Sequence, residues 1–146
     1  MSRTIKRFLP HLLVAAAIVS LLGVSYASVV ASNSSPKVIW STNPITISFQ
    51  ASTGSGSVSE SFKCAPALAN VVLTTSVNSP GKISLTVSPA TRANCGPVFN
   101  TETLTATCLV SAALCKGSYT GTVTVHRTSQ YGNTVPPSLP VTIIVN

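Results

Sequence analysis

The segment YTGTVTVHR, residues 119–127, decides the fold, because its side chains alternate between apolar or small and polar along its length. Tyr119, Val123 and Val125 stand on one side of the alternation, and threonines stand on the other. A period of two places one set of side chains in a core and the other in water, as in a half-buried β-strand. This alternation, or a β-rich run, recurs at residues 37–40, 45–50, 58–64, 71–77, 83–88, 103–108 and 139–145. The sequence therefore predicts an all-β domain without a helical stretch.

Turn-forming residues separate these runs. The segment NSPG at residues 78–81 is a strong turn signal between two apolar runs. Residues 52–57, 89–97 and 131–137 are predicted as loops because they are rich in glycine, proline, serine or asparagine. Seven or eight short strands at intervals of about 10–12 residues indicate a sandwich or a barrel. The lack of crossover helices favours antiparallel pairing.

Four cysteines follow the N-terminal segment: Cys64, Cys95, Cys108 and Cys115. An even number of cysteines in an exported chain indicates disulfides, and three pairings are open. The favoured pairing is Cys108–Cys115, which closes a short loop, together with Cys64–Cys95. A metal site is not predicted, since no CxxC pair exists and only His126 offers a nitrogen ligand.

Three stretches resemble bacterial immunoglobulin-like modules of the BACON kind: ISLTVSP at residues 83–89, LTATCLVSAALCKGSYTGTVTV at 104–125 and LPVTIIV at 139–145. The resemblance implies an immunoglobulin-like antiparallel β-sandwich of seven to eight strands over residues 43–146. Such modules are usually linked in tandem or attached to enzymes on cell surfaces. This sequence departs from them as a single module with four cysteines.

Tyr119 follows Gly117-Ser118 at the start of a predicted strand. A tyrosine corner occupies this place in such sandwiches, where its hydroxyl bonds to upstream backbone. The alternative is an ordinary core tyrosine, and both interpretations stay open at the level of the sequence.

The N-terminus has the order of a secretory signal. Arg3, Lys6 and Arg7 precede an uncharged apolar run at residues 12–22, and the small residues of Ser25-Tyr26-Ala27 follow. We expect a signal peptide at residues 1–27, with residue 31 as a second cleavage point. The alternative is an uncleaved anchor, because the uncharged stretch is long enough to span a bilayer. The basic residues send the rest of the chain outward in both cases.

The sequence therefore divides into three parts: the leader, an N-terminal arm with a short first strand at residues 28–42, and the sandwich at residues 43–146. The predicted location is secreted or on the extracellular cell surface. Contact with a membrane is expected only through the leader, if it is uncleaved.

Charge argues against nucleic-acid binding. The whole chain has a formal net charge of +7, with nine basic residues, two glutamates and no aspartate. Removing the leader leaves six basic residues that are scattered singly, whereas a nucleic-acid surface needs clustered positive charge. These six residues are Lys37, Lys63, Lys82, Arg92, Lys116 and Arg127.

The sequence offers little for catalysis. A Ser-His-acid triad would have to use His126, which stands on the polar side of its strand. A glycosidase pair would need both Glu60 and Glu102, and nothing in the sequence brings them together. Glu60 shares a face with Val58 and Phe62, which favours partial burial or an edge position. We predict no catalytic residue, no metal and no cofactor.

The favoured function is a non-catalytic structural or adhesion module that binds other surface proteins or glycans. Trp40 is interpreted as a core residue, with a sugar-stacking platform as the alternative, and Tyr131 is a candidate for an exposed contact. A second hypothesis is a filament or surface-layer subunit whose arm, residues 28–40, adds a strand to a neighbour. Against it, residues 37–40 are expected to pair within their own sandwich. A small exported enzyme is a remote third alternative.

Overall fold

The computed structural model describes residues 35–128 and 133–146. The predicted leader and Tyr131 lie outside the described residues. The described residues include two short helical segments, a 3-10 turn at Ala51–Thr53 and the helix α1 at Ala112–Cys115. The strands are β1 Lys37–Trp40, β2 Ile45–Phe49, β3 Ser55–Ala65, β4 Leu68–Val77, β5 Ile83–Ser88, β6 Thr91–Cys95, β7 Asn100–Cys108, β8 Gly117–Arg127 and β9 Thr134–Val145.

The strands form two sheets, a first with the order β1-β3-β7-β5 and a second with the order β2-β9-β8-β4-β6. The first order corresponds to strands A-B-E-D of an immunoglobulin domain, and β4-β8-β9 correspond to its C-F-G strands. The structure is an all-β sandwich of immunoglobulin type, as predicted.

Two details of the prediction are wrong. The described residues contain nine strands rather than seven or eight, and the pairing is not wholly antiparallel because β2 runs parallel to β9. The parallel pair arises because the chain leaves the first sheet after Trp40 and enters the second at Ile45, beside the last strand.

The core lies between the two sheets and is built by the alternation seen in the sequence. Ile45, Ile47 and Phe49 of β2 are buried, whereas Thr46 and Ser48 between them are exposed. The same alternation buries one face of each long strand, so that a single apolar cluster extends along the sandwich. All nine strands and both disulfides lie within residues 35–146, and this part of the chain therefore contains what it needs to fold alone.

The loop predicted at residues 89–97 contains the strand β6. Only Cys95 of its five residues is buried, and the segment has no alternation that marks a strand. Backbone pairing with β4 defines it, with Leu68 opposite Cys95.

The loop predicted at residues 131–137 is also partly wrong, because β9 begins at Thr134 and runs through Pro136-Pro137. Only Thr124 separates Val123 and Val125 in β8, whereas their partners Leu139 and Val135 are separated by residues 136–138 in β9. The register irregularity therefore places two additional residues in β9, at the prolines. Proline has no amide hydrogen to donate to a regular β-ladder. At such an irregularity the ladder is interrupted, so the missing hydrogen bonds are tolerated.

Candidate functional site

The four cysteines form the favoured pairs. The Cys64–Cys95 disulfide joins β3 in the first sheet to β6 in the second, with a Cα–Cα distance of 5.4 Å. The Cys108–Cys115 disulfide joins the end of β7 to α1, with a Cα–Cα distance of 5.9 Å. The two bridges lie at opposite ends of the sandwich, since β7 runs between them. Stable intramolecular disulfides indicate an oxidising compartment, which means an extracellular or periplasmic location.

Tyr119 forms the tyrosine corner. Its hydroxyl donates a 2.7 Å hydrogen bond to the backbone oxygen of Cys115, four residues upstream, and the ring is buried in the core. The contact fixes the connection between α1 and β8, where the chain passes from one sheet to the other.

Trp40 is a core residue. Its ring packs against Phe62, with a centroid separation of 5.3 Å, and its indole N–H donates to the backbone oxygen of Pro137 at 2.8 Å. The side chain is buried, so it presents no ring face on which a sugar could stack. Its partner Pro137 belongs to β9, so Trp40 links the first strand of one sheet to the last strand of the other.

Glu60 and Glu102 lie directly opposite each other on β3 and β7, with Val58 opposite Leu104 in the same register. The fold thus brings together two glutamates that nothing in the sequence pairs. Both side chains point into the sandwich and are only 3% and 2% exposed. The antiparallel register of the two strands, which the sequence does not state, produces this buried carboxylate pair.

Glu60 holds the segment in which the chain changes sheets. Its Oε1 accepts a 2.7 Å hydrogen bond from the Ser41 hydroxyl and a 2.8 Å hydrogen bond from the Thr42 amide. Ser41 also donates its own amide to the backbone oxygen of Ser61, at 2.8 Å. Glu60 therefore stabilises the end of β1 against β3, which is a structural role.

Glu102 forms an ion pair that crosses between the sheets. Arg92, on β6 of the second sheet, donates from Nε to Glu102 Oε1 at 2.6 Å and from a terminal nitrogen to the Thr101 oxygen at 2.7 Å. The Arg92 side chain is 31% exposed, whereas Glu102 is almost fully buried. Glu102 Oε2 is buried without a hydrogen-bond partner among residues 35–128 and 133–146. Neither carboxylate is accessible enough to serve a polysaccharide substrate.

His126 lies apart from both glutamates. Its Nε2 is 2.9 Å from the hydroxyl of Thr74 on the neighbouring strand, on the solvent side of the second sheet. Within residues 35–128 and 133–146, no three side chains of histidine, cysteine, aspartate or glutamate gather closely enough to bind a metal ion. No helix in that same part of the chain has the length and apolar character needed to cross a bilayer.

The burial of both glutamates determines the charge of the surface. The chain has only two acidic residues, and the interior holds both. Ionised side chains on the exterior are therefore all basic. The sequence indicated partial burial of Glu60, since it shares a face with Val58 and Phe62, but it did not indicate the pairing with Glu102.

No family model matches the sequence, and no curated protein matches it. Several solved structures are similar in fold. Domains 4 and 5 of the S-layer protein SbsC align with 75% of this chain at 10% identity and a TM-score of 0.43, and this chain spans 50% of theirs. The PapD-like domain 7 of human CEP192 aligns with 75% of this chain and 85% of its own, at 11% identity and a TM-score of 0.49. A FixG-related protein from Vibrio parahaemolyticus aligns with 76% of this chain and 94% of its own, at 13% identity and a TM-score of 0.44. At such identities the likeness concerns the sandwich architecture and carries no statement about function.

Proposed function

We propose that this chain is an exported, non-catalytic structural or adhesion module of the cell surface or the extracellular space. The observation that carries the proposal is the use of both acidic residues inside the fold. Glu60 bonds the segment in which the chain changes sheets, and Glu102 pairs with Arg92 across the two sheets. The resemblance to BACON modules supports the same interpretation.

The interior position of the carboxylates bears directly on catalysis. General acid–base chemistry needs a titrating group within hydrogen-bond reach of the substrate. Glu60 and Glu102 are enclosed by the sandwich, and His126 bonds Thr74 rather than an acid. Partners are therefore expected to be bound rather than transformed, and we expect surface proteins or glycans among them.

Export is tested by expressing the full chain and a variant without residues 1–27, then fractionating the cells and titrating free thiols. We expect the full chain in the periplasm or the medium, with no free thiol and a mature start near residue 28 or 32 by mass spectrometry. The variant without the leader is expected in the cytosol. Accumulation of the full chain in the cytosol with reduced cysteines would contradict the proposal.

The filament hypothesis requires the arm at residues 28–40 to pair with a neighbouring molecule. In the structure, residues 37–40 already pair with β3, with Ile39 opposite Lys63, and the Trp40 ring is buried. Strand addition through these residues would therefore first have to remove β1 from its own sandwich.

A disulfide between Ile39→Cys and Lys63→Cys tests this requirement. Cross-strand partners are about 4.5–5.5 Å apart at Cα, which a disulfide can span. Electron microscopy that shows filaments for the wild type, but none for the locked variant, would favour assembly. Monomers in both samples would support the single module.

A further inference from the structure

Two large apolar side chains protrude at the end of the sandwich that carries the Cys64–Cys95 disulfide. Val98 is 77% exposed and Phe99 is 44% exposed, in the loop between β6 and β7. Lys63 lies against this loop, with its Nζ 4.8 Å from the centre of the Phe99 ring. Lys37 is exposed at the same end, since it pairs with Ala65 at the end of β3. We call these four residues, Lys37, Lys63, Val98 and Phe99, the β6–β7 tip.

Both ends of the loop that carries Val98 and Phe99 are fixed on β3. Cys95 anchors one side of the loop through its disulfide to Cys64, and the Cys64 amide bonds the Gly96 oxygen at 3.0 Å. On the other side, the loop continues into β7, whose first residue Asn100 pairs with Phe62. The backbone beside the apolar side chains is thus fixed at both ends of the loop, which limits the conformational entropy that the loop loses when a partner binds.

The chemistry of the tip combines apolar protrusions with positive charge. A lipid bilayer with anionic headgroups offers both complements, since apolar side chains enter the interfacial region while lysines approach the phosphates. The chain has no acidic residue outside the core that would oppose such an approach. A soluble polyanion would satisfy the lysines but leave Val98 and Phe99 in water.

The path of the chain favours the tip over the opposite end of the sandwich as the site of membrane contact. The sequence that precedes the described residues contains an uncharged apolar stretch up to Ala31, and β1 begins at Lys37 in the tip. Six residues span at most about 20 Å when fully extended. The predicted signal or anchor therefore ends at most that length of chain before the tip.

We propose that the β6–β7 tip docks on an anionic lipid bilayer, with Val98 and Phe99 in the interfacial region and Lys37 and Lys63 on the lipid phosphates. The proposal rests on the export of the module proposed above. It gives the sandwich a peripheral attachment to the membrane that does not depend on the leader. A second copy of the chain is a poorer occupant, because basic residues at both ends of the sandwich repel each other.

The opposite end supplies a matched control. Leu109 and Leu114 are exposed there beside the second disulfide, and Lys82 and Lys116 are exposed near them. The nine residues of β7 separate the two ends by roughly 30 Å. Substitutions at this end remove exposed apolar side chains of similar size and leave the four residues of the tip unchanged.

The experiment measures sedimentation of residues 35–146 with vesicles of phosphatidylcholine alone and of phosphatidylcholine mixed equally with phosphatidylglycerol. We expect binding to the anionic vesicles only, and we expect it to weaken with added salt. Val98→Ser with Phe99→Ser should reduce the partition coefficient by at least about tenfold. Each of Lys37→Gln and Lys63→Gln should reduce it by about fivefold.

The control variant, Leu109→Ser with Leu114→Ser, should bind as the wild type does. Lack of binding to anionic vesicles, or an equal loss in the control variant, would overturn the proposal. Binding to a polyanion such as polyglutamate is measured in parallel. If polyglutamate binds the wild type and the Val98→Ser, Phe99→Ser variant equally, and vesicles bind neither, the tip would be assigned to a soluble anionic polymer instead. None of these outcomes alters the fractionation result, so failure of the tip and failure of export are distinguishable.

Discussion

Replacing Arg92 by glutamine tests whether the ion pair between the two sheets stabilises the fold. The change removes the guanidinium that bonds Glu102 Oε1 at 2.6 Å and the Thr101 oxygen at 2.7 Å. Glu102 then stays in the interior opposite Glu60, and two carboxylates face each other without the cation. The variant should therefore be less stable than the wild type by more than an ordinary surface substitution would cause.

The magnitude follows from the geometry. Unit charges about 4 Å apart attract each other by about 4 kcal/mol at an effective dielectric constant near 20. Arg92 is 31% exposed, and water screens part of this attraction and solvates the cation in the reference state. After that discount, we expect Arg92→Gln to lower the free energy of unfolding by about 2–3 kcal/mol. For a domain of this size, the loss corresponds to a Tm lower by about 8–12 °C.

The assay is equilibrium unfolding in urea of the wild type, Arg92→Gln, Glu102→Gln and the double variant, with disulfides intact. Glu102→Gln should cost about 1 kcal/mol or less, because glutamine keeps the Oε1 acceptor and places a donor beside Glu60. The double variant should be more stable than Arg92→Gln by about 1 kcal/mol or more, since no unpaired charge is left at residue 102. A loss below about 0.5 kcal/mol for Arg92→Gln, or a double variant no better than it, would refute the reasoning.

Three further predictions concern stability measured in the same assay. Tyr119→Phe should cost about 1 kcal/mol because the Cys115 oxygen loses its buried hydrogen bond, and an unchanged midpoint would count against the corner. Gly121→Ala should cost about 1–3 kcal/mol, since the added Cβ would lie 2.8 Å from the Ser76 oxygen, whereas Gly81→Ala meets no atom within 4 Å and should be nearly neutral. Replacing both cysteines of the 64–95 bridge by serine should cost about 4 kcal/mol, against about 2 kcal/mol for the 108–115 bridge, because they span 31 and 7 residues. The reverse order of the two losses would contradict the loop-entropy argument.

The sequence predicted the strands whose two faces differ. In β2 and β8, the alternation of apolar and hydroxyl side chains matches the burial seen in the structure. It could not predict β6, because a short edge strand with one buried residue leaves no periodic trace. It also missed the start of β9, where a register irregularity in β9 itself accommodates two prolines that ordinarily indicate a loop.

The candidate site was predicted only in part, because some of its features depend on neighbouring residues in the sequence and others depend on the register between distant strands. The short 108–115 loop favoured the observed disulfide pairing among three, and the position of Tyr119 before a strand left the tyrosine corner as one of two interpretations. The Glu60–Glu102 pair depends on the register between β3 and β7, which 41 intervening residues do not encode locally. The positions of Val58 and Phe62 indicated which face of its strand Glu60 occupies, whereas nothing in the sequence indicated that Glu102 lies opposite it.

Register also gives a reason for burying charge in a core that apolar residues could fill. A shift of β3 against β7 by one residue would turn its apolar face to solvent, and the hydrophobic pattern alone forbids it. A shift by two residues keeps every side chain on its face, so the apolar pattern barely opposes it. Arg92 and Cys95 both lie on β6, and they contact Glu102 of β7 and Cys64 of β3 respectively. Such a shift would therefore either separate Glu102 from Arg92 or strain the Cys64–Cys95 bridge. We therefore expect the Arg92–Glu102 ion pair to fix the register of β7 against β3, in addition to its effect on stability.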